Sequence, residues 1–113
     1  MTLELDGRVI RSIDLNGNVF RDDWKKLPKE VKTEAQGVIR SLFFQNLDSL
    51  PGKLHLHQLV GKEVPSRLNE KKKVKAWSLH ITADDHYKAS FSYENGTLYF
   101  RTCGLHDVVD KKP

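Results

Sequence analysis

Between Val74 and Leu105, apolar and polar residues alternate in three runs, the pattern of half-buried antiparallel strands. Asn95-Gly96 separates the last two runs and is the residue pair favoured by a two-residue type I′ hairpin turn. That turn sets Glu94 opposite Thr97, then Tyr93 opposite Leu98, Phe91 opposite Phe100 and Ala89 opposite Thr102 on an apolar face. The other face pairs Ser92 with Tyr99, Ser90 with Arg101 and Lys88 with Cys103. One run earlier, Trp77, Leu79 and Ile81 alternate with Ser78, His80 and Thr82. A short loop at Ala83-Asp84-Asp85 then brings Trp77 opposite Phe91 and Leu79 opposite Ala89. A slip of one residue would turn every side chain over, so agreement across both turns supports the register. His80, Lys88 and Cys103 thereby form one row of the polar face, with Ser78, Ser90 and Arg101 in the next.

The N-terminal half follows a helical period. Arg21 opens one predicted helix, with Asp22 and Asp23 at its cap or first turn, where carboxylates complement exposed amides. Pro28 interrupts and suits the first position of a second helix. Val31, Ala35, Val38, Ile39, Leu42 and Phe43 form its apolar stripe, and the loop chemistry of Asp48 to Gly52 ends it near Asn46. An imperfect strand pattern at Gly7 to Leu15 is followed by a turn at Asn16-Gly17-Asn18, from which Val19-Phe20 can return as a short strand. Leu54 to Gly61 reads as an edge strand or extended connector, and 62–75 as a mobile basic loop containing Pro65. After Leu105 a short apolar tail tucks locally, and Lys111-Lys112-Pro113 frays. The expectation is one α+β domain over residues 1–113. Two N-terminal helices pack on a curved, mainly antiparallel sheet, preceded by an extension at about 1–18.

Composition narrows the class. The 113 residues are 38% hydrophobic and 30% charged, with no run long enough to span a membrane. Met1-Thr2-Leu3-Glu4 lacks the basic flank and apolar core of a secretory signal, so a cytoplasmic location is expected. The single Cys103 excludes an internal disulfide and a cysteine-based zinc site. The net charge of +4 is unevenly placed. Seven cations against two carboxylates between Gly52 and Lys75 leave +5 there and −1 elsewhere. That segment suits a polyanion, nucleic acid above all, or simply a solvated, solubilising loop.

Five histidines raise the question of a metal. His55-x-His57 can place two imidazoles on one strand face but lacks a third ligand at short spacing, so no metal or other cofactor is expected. Ser78, His80 and Asp107 can be drawn as a triad, yet no nucleophile elbow supports it, and no glycine-rich phosphate loop is present. His80, Lys88 and Arg101 on the polar face, with His106 beyond the last strand, fit RNA cleavage without metal. Histidines move protons near neutral pH, and Lys and Arg neutralise the phosphate. Tyr99 or Tyr87 could stack a base. The competing reading is an ordinary polar sheet surface.

The order of elements carries a resemblance. An early strand, a helix ending at Leu27-Pro28, an amphipathic helix and a Leu-x-x-Leu-Val-Gly segment from Leu56 to Gly61 precede the hairpins. Trp77-Ser78-Leu79-His80-Ile81, His86-Tyr87-Lys88-Ala89-Ser90-Phe91 and Leu98 through Cys103 to His106 complete the pattern. Over about residues 20–110 the chain resembles the RelE/ParE toxin superfamily of bacterial toxin–antitoxin systems, with its RelE and YoeB branches nearest. The resemblance implies a small ribosome-dependent mRNA endonuclease that needs no metal, inhibits translation and is silenced by a cognate antitoxin. It places Ser78 and His80 at site positions, Lys88 where a phosphate-contacting Arg is common, and His106 as a C-terminal catalytic His. Arg101 joins Lys88 on the phosphate, and Lys71, Lys72, Lys73 and Lys75 contact RNA backbone. Two rivals remain: a ParE-like inhibitor of DNA gyrase and a non-catalytic RNA-binding module.

Overall fold

The computed structural model describes residues 8–113. The start of the predicted extension, with the residues bearing on a secretory signal, lies outside the described residues. The described residues are α+β, with three α-helices and a five-stranded mixed sheet in the order β1-β5-β4-β3-β2. The strands are β1 Ser12–Asp14, β2 His57–Pro65, β3 Lys73–His80, β4 Tyr87–Glu94 and β5 Thr97–Leu105. The helices are α1 Asn18–Lys25, α2 Lys29–Ser41 and α3 His106–Lys111. β1 runs parallel to β5, and every other pair is antiparallel. Among the described residues no helix is long and apolar enough to cross a membrane.

The hairpin logic holds where local chemistry dictates it. Asn95 and Gly96 both take positive φ, 52° and 87°, as a type I′ turn requires. Glu94 pairs with Thr97, Tyr93 with Leu98, Ser92 with Tyr99 and Phe91 with Phe100, and the β3–β4 register is the expected one. Beyond Phe100 the register shifts. Ser90 pairs with Thr102, Ala89 with Cys103 and Lys88 with Gly104, leaving Arg101 as an extra residue in β5. The bulge turns Cys103 into the core and Thr102 onto the polar face, where its hydroxyl meets that of Ser90 at 2.5 Å. Burial and the nearby Asp23 push the Cys103 thiol up to about 12, so it is inert at neutral pH.

The helices begin and end differently from their sequence pattern. α1 starts at Asn18, so Val19-Phe20 is helical, and Asp23 uses its carboxylate to accept the Cys103 backbone N–H at 3.2 Å. Phe20 thereby packs on Phe100 at 5.5 Å between ring centroids. Pro28 caps α2 from outside. α2 stops at Ser41 because the following backbone pairs elsewhere. Ile10 N–H donates to Gln45 O at 2.8 Å, and Phe44 N–H to Ile10 O at 2.7 Å. The core cluster joins Phe20, Leu27, Ala35, Ile39 and Leu42 to Leu79, Ala89, Phe91, Leu98 and Phe100.

Two corrections concern the other sheet face. Both ends of the segment 62–75 are strand: β2 and β3 form a hairpin, with only 66–72 as its connection. Glu94 organises that connection, accepting hydrogen bonds from the Ser66 hydroxyl and from Arg67 N–H at 3.0 Å. The tail does not fray. It forms α3 and lies across the polar face, with Lys88 Nζ 3.0 Å from Asp110 and Ser90 Oγ donating to Pro113 O at 3.2 Å. Lys88, Ser78, Ser90 and Ser92 are all buried, and this face is a second, polar packing layer.

Candidate active site

Three chain segments converge on the end of β3. His80 is the last residue of that strand and pairs with Lys88 across the β3–β4 hairpin. The connection after it is held by Asp84, which accepts from the Thr82 hydroxyl at 2.6 Å and from His86 N–H at 3.0 Å. That turn swings Asp85, at φ 64°, back under the imidazole, and Asp85 Oδ1 lies 2.8 Å from His80 Nδ1. A carboxylate accepts, so Nδ1 carries the proton and Nε2 keeps the lone pair.

His55 arrives from a 3-10 turn at Gly52–Leu54, itself in the left-handed conformation at φ 48° and ψ 54°. Its ring stacks on His80 at 4.5 Å, with 21° between planes. His106 opens α3, and its backbone N–H donates to His86 O at 2.9 Å. Its ring meets His80 edge-on at 5.6 Å. His106 Nδ1 also lies 3.3 Å from Asp110 Oδ2, so Asp110 sits between His106 and Lys88. A cleft of ≈ 490 Å³ exposes one flank of this group and is lined by Glu34, Val38, Lys53, His55, His80 and Asp85. That volume suits a nucleotide-sized ligand.

Burial holds the His80 imidazole below the ordinary histidine value. The Asp85 hydrogen bond works against this, and the positive surroundings of His55 and Lys88 add to it. These surroundings favour the neutral imidazole over the charged one. Its side chain is 8% exposed, whereas His106 is 39% exposed.

The structure brings together His80, Lys88 and His106 and leaves the other expected residues apart. Arg101 projects from the bulge into a separate cleft of ≈ 420 Å³ with Asn16, Gly17, Val19 and Arg67. There burial and the neighbouring Arg67 lower its pKa from the usual arginine value, and Nη1 has no hydrogen-bond partner. Tyr99 lies under the Arg67 guanidinium at 5.2 Å, away from the histidines. Ser78 is buried, and its hydroxyl also has no partner. Lys71, Lys72, Lys73 and Lys75 are exposed at the far end of β3. Lys73 opens that strand and His80 closes it, a span of about 23 Å at the usual strand rise. Cys103 leaves the His80 row altogether, replaced opposite Lys88 by Gly104.

Sequence reasoning missed Lys53, His55, Asp85 and Asp110 as members of this group. Asp85 had a signal, being a carboxylate just across a tight turn from His80. The His55-x-His57 spacing suggests a pair on one strand face, yet His57 begins β2 opposite Ser78 while His55 stacks on His80. Set against protein-family models, curated proteins and solved structures, the chain matches none.

Proposed function

We propose that the chain is a RelE-like toxin of a toxin–antitoxin system, an endoribonuclease that cuts mRNA at the ribosome and inhibits translation. The observation that carries this reading is His106 standing edge-on to a buried His80 whose Nδ1–H is directed to Asp85. In this reading His80 Nε2 takes the proton from a ribose 2′-hydroxyl, and the 2′-oxygen attacks the adjacent phosphorus. The bond to the 5′-oxygen breaks, and His106 gives that oxygen a proton. The products are a 2′,3′-cyclic phosphate and a 5′-hydroxyl, and no metal takes part in the step. Lys53 lines the same cleft as His80 and is the cation assigned to the phosphate in this reading. Lys88, tied to Asp110, acts through α3 as a positioning residue for His106.

The α+β layout with two N-terminal helices sharing the sheet core is compatible with a RelE-like arrangement. The exposed Lys71 to Lys75 run at the β2–β3 hairpin suits ribosomal or messenger RNA backbone, and the cognate antitoxin is the expected protein partner. A second reading, an RNA-binding module without cleavage, is favoured by one observation. Arg101 and the lysine run lie apart from the histidines, and Lys88 is already neutralised.

Induction of the chain in bacterial cells, followed by primer extension on mRNA and by growth, tests the proposal. Growth arrest with discrete new 5′ ends inside reading frames is expected. Intact mRNA together with DNA damage would point to gyrase, and RNA association without cuts would leave the binding module.

A further inference from the structure

Among the described residues His55, His80 and Asp85 offer one ligand atom each, all within 4.8 Å of one another. His80 ends β3, whereas His55 and Asp85 come from two separate turns and both sit on left-handed backbone beside it. We infer that these three residues form a binding site for a divalent transition-metal cation of the zinc class. Two imidazoles and one carboxylate are the donor set such ions take, with remaining positions left to water.

The geometry needs modest closure. Tetrahedral zinc holds nitrogen and oxygen donors about 3.3–3.5 Å apart, given bonds near 2.0–2.1 Å. His80 Nδ1 and Asp85 Oδ1 are already 2.8 Å apart across a shared proton, which the cation would displace. The remaining adjustment falls to His55 and Asp85, whose side chains are exposed, while His80 is buried. The site faces the ≈ 490 Å³ cleft, which supplies an entry path and room for bound water.

Occupancy has a consequence that rests on the RNA-cleavage reading. A neutral imidazole has one lone pair, and a cation bound to His80 takes it at Nε2 or, bound at Nδ1, fixes the tautomer in which Nε2 carries hydrogen. Either way His80 no longer accepts a proton, so the cation acts as an inhibitor of the cleavage centre.

The binding test does not depend on RNA. The untagged full chain is titrated with Co²⁺, and visible d–d absorption is followed, with Zn²⁺ as competitor. One equivalent should saturate the signal, and Zn²⁺ should abolish it. His55→Ala and Asp85→Ala, both at exposed positions, should each weaken binding at least about tenfold. His57→Ala and His86→Ala should leave it unchanged. Absence of the signal, or a signal indifferent to His55→Ala and Asp85→Ala, overturns the site. A second arm measures RNA cleavage with Zn²⁺ and after chelation. Cleavage restored by chelator is expected, and full cleavage at saturating Zn²⁺ overturns the inhibitory role while leaving the Co²⁺ result to stand by itself.

Discussion

Lys88 Nζ sits 3.0 and 3.2 Å from the two carboxylate oxygens of Asp110, tying the C-terminal helix to the central strand of the sheet. The two partners are unequally buried: the Lys88 side chain is 4% exposed and that of Asp110 33%. Removing the carboxylate strands a buried ammonium, whereas removing the ammonium leaves a carboxylate that water can reach. Asp110→Ala should therefore cost about 3 kcal/mol or more in urea unfolding, and Lys88→Met distinctly less. Equal losses from both variants would show that α3 is held by something else.

Glu94 gives the fold a pH signature. Burial opposes its charge, but hydrogen bonds from Arg67 N–H and from the Ser66 and Ser92 hydroxyls prevail and hold its carboxyl below the usual 4.5. A group lowered in the folded state stabilises it fully above the unfolded value and loses that contribution as pH falls through the folded one. Thermal melting should thus hold steady from neutral pH to about 5 on this account, then decline below 4.5. Glu94→Gln should lower the melting temperature at neutral pH and flatten the acid decline. A variant with an undiminished acid decline would contradict the assignment.

The β3–β5 hairpins were legible because their signals are local: Asn95-Gly96 fixes a turn, and alternation then fixes both faces. The bulge was not, since Arg101 carries no glycine or proline to mark it and the alternation continues past it in either register. β2 was legible only in its first half, as an edge strand or connector ending at Gly61, because an edge strand with one side facing solvent can be as polar as Lys62 and Glu63 make the rest of it. α3 depends on a tertiary partner, Lys88, that no local pattern reveals. At the site, the placing of His80, Lys88 and His106 at one end of the sheet was visible in the strand register. His55 was not, because its approach depends on a left-handed residue after a 3-10 turn. The expected grouping of Arg101 with the histidines failed for the same reason as the register, the extra residue at the bulge.

The β2–β3 hairpin predicts a salt effect. Lys71, Lys72, Lys73 and Lys75 are exposed, so reversing three of them to Glu should leave unfolding unchanged. If they neutralise RNA phosphates, the magnitude of the log–log salt slope for RNA binding should fall by about two. An unaltered slope would make the run a solubilising surface.

The central claim is proton transfer between RNA and the His80–His106 pair, and cleavage by His106→Gln tests it most directly. His106 is partly exposed at the start of α3, so the variant should fold and still bind RNA. On ribosomes loaded with mRNA, with chelator present throughout, the wild-type chain should yield 2′,3′-cyclic phosphate and 5′-hydroxyl ends. His106→Gln should yield the same ends about 10²–10⁴-fold more slowly, the usual reach of a positioned proton-transfer group. Cleavage by His106→Gln at the wild-type rate would contradict the account.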